Sequence, residues 1–457
     1  MKYEEFLKTK ESYIAPSGFK ASNLNIKMFN YQRDIVSWAV RKGKAAIFAD
    51  CGMGKTLMQL EYARQVCNYT GGDVLIVAPL SVATQTKDEG SKFGYNVNIV
   101  RSQEEVSTGI NITNYEMLWH FNADKFQGVI LDESSILKSF TGKTKQEIID
   151  KFKYTPYKLA CTATPAPNDF VELGNHAEFL NIMSRSEMLA TYFVHDGGDT
   201  SKWRLKGHAE DEFWKWIASW ACVITKPSDL GYSDEGFVLP DIKYIEHIVS
   251  SEADEGLLCA SLASTLSERR DARKNSMQER VKTAAEICEE KDDQFVVWCD
   301  FNAESQALAK AIEDSIEVCG ADSPEYKAQC GMSFARGDIK VIISKPSIYG
   351  FGMNWQNCHD VIFCGLSDSY EQFYQAVRRC YRYGQKKTVN AHIIISEKEL
   401  NVLDNIKRKS KDVEKMKSRM IELTKEITTA EIHHTSRITQ SYIANKKMTL
   451  PSWVKGA

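Results

Sequence analysis

The stretch Ala49-Asp50-Cys51-Gly52-Met53-Gly54-Lys55-Thr56 constrains this chain more than any other. It follows the apolar run Ala45-Ala46-Ile47-Phe48 and opens a segment with helical periodicity. A strand, a glycine-rich turn and a helix N-terminus in that order make a phosphate cradle. The glycines let backbone N–H groups close on phosphate oxygens, and the helix dipole favours the anion. Gly52, Met53 and Gly54 form the turn, Lys55 supplies a mobile charge at the β- and γ-phosphates, and Thr56 is placed to ligate Mg²⁺. Ala49 stands where the commonest pattern has a glycine, which is acceptable if that position needs no positive φ. The chain is therefore expected to bind a nucleoside triphosphate.

Around the cradle, short apolar runs alternate with longer amphipathic segments. The runs Ala45–Ala49, Val74–Ala78, Asn96–Val100, Ile110–Thr113, Gly128–Asp132 and Lys158–Thr162 read as strands of a mostly parallel sheet covered on both faces. Chemistry is expected at their C-terminal ends. From about residue 181 to 239 the pattern changes to an aromatic-rich helical segment, with Phe213, Trp214, Ile217, Trp220 and Ala221 on one face, followed by a linker at 231–240. That face is read as packing, with base stacking by the tryptophans as the alternative. A second α/β alternation begins near Asp241, with strands at Gln294–Cys299, Lys340–Ser344, Asp360–Cys364 and Val389–Ile395 and no second phosphate loop. From about Glu397 the chain turns helical and rich in Lys and Arg, read either as a solvated face or as a phosphate-contacting patch.

At 457 residues there is room for two or three cores. A net charge of -3 advertises no polyanion, so any nucleic acid must meet a local basic patch. The 12 cysteines show no C-x-x-C pairs, which argues against zinc and a disulfide framework and fits a reducing compartment. No run approaches the ~18 apolar residues of a membrane span, and no signal peptide opens the chain. A cytoplasmic protein is expected.

Two carboxylates end the run Gly128-Val129-Ile130-Leu131-Asp132-Glu133. Asp132 can hold Mg²⁺, and Glu133 can orient and deprotonate the water that attacks the γ-phosphate. In the second half, Gln375, Arg379 and Arg382 lie at i, i+4 and i+7, one face if the segment is helical. Arginines on a lobe without a cradle, beside a lobe that has one, read as a clamp on a transferring phosphoryl group. ATP would lie between the lobes, its hydrolysis coupled to their opening and closing.

Through these motifs the chain resembles the superfamily 2 helicases, in their Swi/Snf-like branch, and more narrowly the short DEAD/DEAH-box-type helicases of bacteriophages and prophages. Phe29-Asn30-Tyr31-Gln32-Arg33 is similar to the upstream glutamine motif, implying that Gln32 reads adenine. Ala49–Thr56 matches motif I, whose family form begins with Ala or Asp. Ala78-Pro79-Leu80-Ser81 and Ile112-Thr113-Asn114-Tyr115 resemble motifs Ia and Ib, implying nucleic-acid contacts at Pro79, Ser81, Thr113 and Asn114. Asp132-Glu133-Ser134-Ser135 stands where the family has Asp-Glu-Ala-His, followed by Lys138 as in the remodellers. Cys161-Thr162-Ala163-Thr164-Pro165 resembles motif III. Val297 to Phe301 sits at motif IV, and Phe301, Ser344 and Lys345 are the implied contacts of the second lobe. Gly350 to Asn354 resembles motif V, implying nucleotide contacts at Gly352 and Asn354. Gln375 to Gln385 resembles motif VI, with Gln375, Arg379 and Arg382 at catalytic positions and Arg378 where remodellers often have Asp.

The resemblance implies two RecA-like parallel-sheet lobes in tandem: lobe 1 at 1–180, a short aromatic-rich insertion and linker at 181–239, lobe 2 at 240–396, and a basic helical C-terminal extension at 397–457. It implies ATP and Mg²⁺ at the site and an ATP-dependent DNA helicase or translocase acting on duplex, forked, branched or single-stranded DNA. Phage replication, recombination or repair, phage replication or nuclease partner proteins and the host cytoplasm are the implied setting. The alternatives are an ATP-gated nucleic-acid-binding or recruitment factor without translocation, and an RNA helicase. The basic C-terminal helices are the candidate for additional duplex contact, and the Trp214–Trp220 segment is a candidate strand-separating pin.

Overall fold

The computed structural model describes residues 16–80, 82–138, 143–196, 199–250, 265–350 and 353–432. Two parallel sheets carry the chain. The first contains β1 (Lys44–Ala49), β2 (Asp73–Ala78), β3 (Val97–Ile99), β4 (Ile110–Asn114), β5 (Phe126–Asp132), β6 (Tyr157–Cys161) and β9 (Ala221–Ile224), in the order β3-β4-β2-β5-β6-β1-β9. The second contains β10 (Ile242–Val249), β11 (Phe295–Trp298), β12 (Ser315–Val318), β13 (Val341–Ser344), β14 (Asp360–Cys364) and β15 (Val389–Ser396), in the order β10-β15-β14-β11-β13-β12. Their central strands are near-continuous Val/Ile/Leu/Ala runs because helices cover both faces and no side is left to water. A small antiparallel hairpin, β7 (Phe193–Asp196) and β8 (Asp199–Leu205), stands apart from both sheets.

The helices that matter for the site are α1 (Asn30–Lys42), α2 (Lys55–Thr70), α3 (Ala83–Phe93), α4 (Leu173–Phe179), α5 (Glu210–Ala218), α6 (Met277–Glu289), α7 (Asn302–Ala311), α8 (Tyr370–Val377) and α9 (Leu400–Ile432). The expected two-lobe α/β architecture with a helical C-terminal region is what the chain adopts. Every expected strand is present within a residue or two of its expected bounds.

The segment read as an insertion does more than link. Strand β9 pairs in parallel with β1, Ile47 opposite Cys222, and so closes the edge of the first sheet. Its sequence, Ala-Cys-Val-Ile, is too short to signal a strand by periodicity. In α5 and the turn after it, Phe213, Trp214, Trp216, Ile217 and Trp220 are all buried. With no ring face open to a base, these tryptophans neither stack on nucleic acid nor form a pin. One apolar cluster runs unbroken from the first lobe through Phe213, Trp214 and Trp220 into the second lobe and on to Val413, Met416 and Met420 of α9.

The second lobe is stitched below its active edge by buried ions. Arg280 on α6 and Glu304 on α7 are both fully buried, 2.6 Å apart. Arg280 also donates to the Cys364 carbonyl and Ser276 Oγ, and Glu304 accepts from the backbone N–H groups of Asp300 and Phe301. Removing one partner strands the other's charge, so Glu304→Ala should cost about 3–5 kcal/mol, read as a lower midpoint in urea unfolding. A loss under about 1 kcal/mol would show that water reaches this pair.

Candidate nucleotide site

The phosphate loop sits where the topology predicts. β1, β5 and β6 are the central neighbours of the first sheet, with Ile47 and Asp132 both opposite Cys161. Loop, carboxylates and the Thr162–Thr164 segment therefore emerge side by side at one edge. Gly52 and Gly54 have φ of 88° and 75°, which only glycine adopts without strain. Each glycine is also required by its neighbour. A Cβ on Gly52 would lie 2.8 Å from the Tyr383 backbone nitrogen, and one on Gly54 would lie 2.3 Å from Gln32 Nε2.

Gln32 holds the loop from the other side: its Nε2 donates to the Met53 carbonyl and its Oε1 accepts from Phe29 N–H. Tyr31 donates its hydroxyl to the same carbonyl. The observed work of Gln32 is thus to fix the loop. Beside it, Phe29, Phe237 and Tyr383 come from three separate segments with ring centroids 4.8–6.5 Å apart. Phe29 is 48% and Tyr383 39% exposed, so these rings present open faces next to the phosphate cradle, as a nucleobase requires. Gln32 alone is legible from the sequence; the aromatic partners are assembled only by the fold.

Lys55 opens α2 and donates from Nζ to the Ala49 carbonyl at 2.9 Å. Thr56 follows it, half-buried in the first helical turn. Asp132 Oδ1 accepts from Gln59 Nε2 at 2.6 Å, and Tyr115 donates to the Asp132 carbonyl. Burial raises the Asp132 carboxyl above the ordinary range, opposed by the Gln59 bond and the Lys55 charge. Thr56 and Asp132 offer hard oxygen donors and leave positions for water and phosphate, a donor set that fits Mg²⁺.

Glu133 occupies the left-handed region at φ 49°, a strained conformation for a side chain of this size. Its Oε2 accepts from Thr162 Oγ1 at 3.2 Å, joining the carboxylate to the motif III segment, where Thr162 Oγ1 also accepts from Thr164 N–H. The Ser134-Ser135 departure has a structural answer. Ser134 Oγ lies 3.1 Å from Nε2 of His176, a fully buried histidine on α4 that the sequence did not single out. Burial pushes this imidazole down to about 4, so it stays neutral at pH 7. A paired histidine one helix away was not readable from spacing.

The second lobe brings Gln375, Arg379 and Arg382 to the same place, though not as one helical face. Helix α8 ends at Val377, and the arginines sit on the turn that follows. The turn still brings them together, because Arg379 and Arg382 both donate to the Met353 carbonyl, at 3.0 and 3.1 Å. Arg379 also bonds Gln375 O and Oε1. Its charge acts on both Asp132 and Glu133 across the cleft. Burial, then the like charge of Arg379, lowers Arg382 to about 10, so it remains cationic at neutral pH. Asn354 is exposed beside them, whereas Gly352 lies outside the described residues.

The lobes are in direct contact through ions no motif announced. Asp50 of the phosphate loop accepts from Arg378 at 2.9 Å and from the Tyr374 hydroxyl. Lys138 pairs with Glu371 of α8. Arg378, in place of an acidic residue, facing an acidic residue in motif I, was the signal that could have found the first of these.

The expected nucleic-acid contacts divide. Pro79 follows β2 and Asn114 ends the neighbouring β4, while Phe301 and Lys345 follow β11 and β13. All four are half-buried at the active edges. Thr113 and Ser344, by contrast, are buried at 2% and 1%, and Ser344 Oγ donates to the Val318 carbonyl. Both lie within strands whose successive residues are buried on either face, so neither is available to a phosphate. Ser81 lies outside the described residues.

A titration follows from the Glu133 setting. Burial, then Asp132, raises its carboxyl against the charges of Lys55 and Arg379. A base works only when deprotonated, so kcat for ATP hydrolysis should fall as pH drops through a pKa above the ordinary ~4.3 of glutamate. A flat profile down to that value would count against Glu133 as the base.

Residues 25–167 match the family model described as "Type III restriction enzyme, res subunit", and residues 279–384 match "Helicase conserved C-terminal domain". The chain is 26% identical over 191 residues to human TATA-binding protein-associated factor 172, covering 34% of this chain and 10% of that protein. It is 27% identical over 227 residues to the ISWI chromatin-remodeling complex ATPase ISW2 of Saccharomyces cerevisiae, covering 43% of this chain and 19% of that one. It thus spans less than a fifth of the length of these relatives. Among solved structures, the Sulfolobus solfataricus SWI2/SNF2 ATPase core in complex with dsDNA is similar at a TM-score of 0.42 and 20% identity, covering 92% of this chain and 100% of that one. Both matches are to domains of the superfamily 2 helicase type, one over each lobe. No helix among the described residues is long and apolar enough to cross a membrane.

Proposed function

We propose that this chain is an ATP-driven motor that moves along DNA. The observation that carries the reading is that the second-lobe segment bearing Gln375, Arg379 and Arg382 lies against the phosphate loop beside Asp132 and Glu133, with Arg378 on Asp50, Gln375 Oε1 3.8 Å from Cys51 Sγ and Tyr383 against Gly52. ATP is the substrate. Lys55 and the loop N–H groups hold its phosphates, and Gln32 keeps the loop in shape. Mg²⁺, held by Thr56 and Asp132, would neutralise charge on the β- and γ-phosphates. Glu133 takes the proton of a water whose oxygen bonds the γ-phosphorus as the bond to the β-phosphate oxygen breaks. Arg379 and Arg382 stabilise the negative charge on the transferring group. Because the arginines belong to the second lobe, the site is complete only when the lobes are closed, and phosphate release removes the reason for closure.

DNA as the track is supported by the similarity to a chromatin-remodeling ATPase and by the half-buried residues Pro79, Asn114, Phe301 and Lys345 at the strand tips. Contacts of that kind are made to the backbone and carry little sequence preference. The resemblance to phage and prophage helicases supports a role in DNA replication, recombination or repair, at forks or junctions, in the host cytoplasm. The test is ATP hydrolysis without nucleic acid, then with single-stranded DNA, duplex, a fork and RNA, paired with displacement of a third strand from a duplex track. Stimulation by a DNA form together with displacement supports the motor. Binding without stimulated hydrolysis would instead leave an ATP-gated binding factor, and stimulation by RNA alone would name the other track.

A further inference from the structure

The C-terminal helix α9 is tied to both lobes. Its first half lies on the second lobe, where Lys407 pairs with Glu246 of β10 and Lys409 donates to the Asp368 carbonyl. Its second half lies on the first lobe, packed against α5, β9 and α1, with Arg419 3.3 Å from Glu210. Val402, Leu403, Ile406, Val413, Met416 and Met420 form its buried stripe. Of the basic residues in the segment that reads as a solvated face or a DNA patch, Lys409, Lys417 and Arg419 are engaged within the molecule, whereas Lys407, Arg408, Lys411 and Lys415 are exposed.

Where the helix crosses between the lobes, Lys417 is buried, with Nζ 3.6 Å from Asp50 Oδ1 and 3.1 Å from the Tyr374 hydroxyl. It also stands 4.8 Å over the Tyr374 ring. We propose that Lys417 is a positioning residue of the ATP site, which through Asp50 makes the charge of the phosphate loop depend on α9 being docked. The proposal rests on the ATPase reading above. Its physical basis is a charge imbalance. One buried carboxylate, Asp50, faces two cations, Arg378 and Lys417, with Lys55 also close enough to act on Lys417. A surplus buried cation is costly until an anion arrives, and burial accordingly pulls the Lys417 ammonium below its ordinary range. A nucleotide's phosphates on this loop supply that anion. Docked, α9 should raise nucleotide affinity at the expense of the empty protein.

The experiment uses the full chain and a fluorescent ribose-labelled ATP analogue with Mg²⁺, titrated against wild type, Lys417→Met, Lys417→Arg and Arg419→Met, with thermal unfolding of each in the absence of nucleotide. Methionine keeps the stem and removes the charge. Lys417→Met should weaken analogue binding by about tenfold or more, since a hydrogen bond or contact with a charged group is lost. It should unfold no earlier than wild type when nucleotide is absent. Lys417→Arg should retain most of the affinity. Arg419→Met, which loosens the helix without touching the loop, should bind within about twofold of wild type. Equal weakening by Lys417→Met and Arg419→Met would overturn the proposal in favour of a plain brace, as would unchanged binding by Lys417→Met. If Lys417→Met does not fold, Lys417→Arg decides, because a brace that merely fills space has no reason to accept the larger side chain with affinity intact. Wild type that binds no analogue would overturn the ATPase reading itself, a distinct result.

Discussion

Replacing Arg382 by alanine is expected to lower kcat for ATP hydrolysis by about 10³–10⁵-fold while changing KM for ATP by only a few-fold. The asymmetry follows from how the two arginines are engaged. Arg379 is held by three hydrogen bonds, to Gln375 O, Gln375 Oε1 and Met353 O, so its loss also releases the second-lobe segment at Met353. Arg382 makes one, to Met353 O, and its buried Nε has no hydrogen-bond partner. A guanidinium with donors in hand beside the phosphate loop costs little to the fold when removed and much to a phosphoryl transfer. Arg379→Ala should match its loss of kcat and add a measurable fall in unfolding temperature. Arg382→Lys should recover little, since a point charge does not reproduce the fork. The measurement is steady-state hydrolysis at saturating DNA with unfolding temperatures for each variant. A loss under about tenfold for Arg382→Ala would assign that arginine to interlobe packing.

What the sequence made legible was whatever rests on local order. The strand runs, the loop Ala49–Thr56 and the pair Asp132-Glu133 are contiguous, and their chemistry depends on neighbours in sequence. Gln375, Arg379 and Arg382 were found by helical spacing, although the chain places the arginines on a turn; the shared Met353 carbonyl does the alignment that the helix was expected to do. The missed features are those that need the lobes to meet. Asp50 with Arg378, Lys138 with Glu371, and the aromatic group Phe29, Phe237 and Tyr383 each join segments hundreds of residues apart or from different lobes. Strand β9 was hidden for another reason: four small apolar residues do not distinguish a strand from the end of a helix. The basic run of α9 was legible only in part, since Lys407, Arg408, Lys411 and Lys415 are exposed as a surface reading expects. Charge counts suggested a surface, yet residues 413, 416, 417 and 420 form one helical stripe that is buried, one of them a lysine with a carboxylate waiting for it.

Glu133→Gln is expected to lower kcat by about 10²–10⁴-fold with ATP binding retained. Glutamine keeps the shape and an oxygen acceptor, so Thr162 Oγ1 can still donate to position 133 and the strained backbone there is undisturbed. Only basicity is removed. The residual activity should consequently lose the acid limb that the raised Glu133 carboxyl gives the wild type, because no group at that position remains to titrate. Held with intact ATP, the variant should also stay in the closed state, in which Arg379 and Arg382 face the loop, and retain its DNA through more wash volumes than wild type does. Glu133→Ala would remove the Thr162 contact as well and separate the two roles: a further loss beyond Gln measures the link to the motif III segment. The readings are kcat and KM across pH 5 to 9 for both variants, with nucleotide affinity measured independently. Should Glu133→Gln hydrolyse ATP within about tenfold of wild type and keep the acid limb, the proton is taken elsewhere, and Glu133 would be a structural anchor for Thr162.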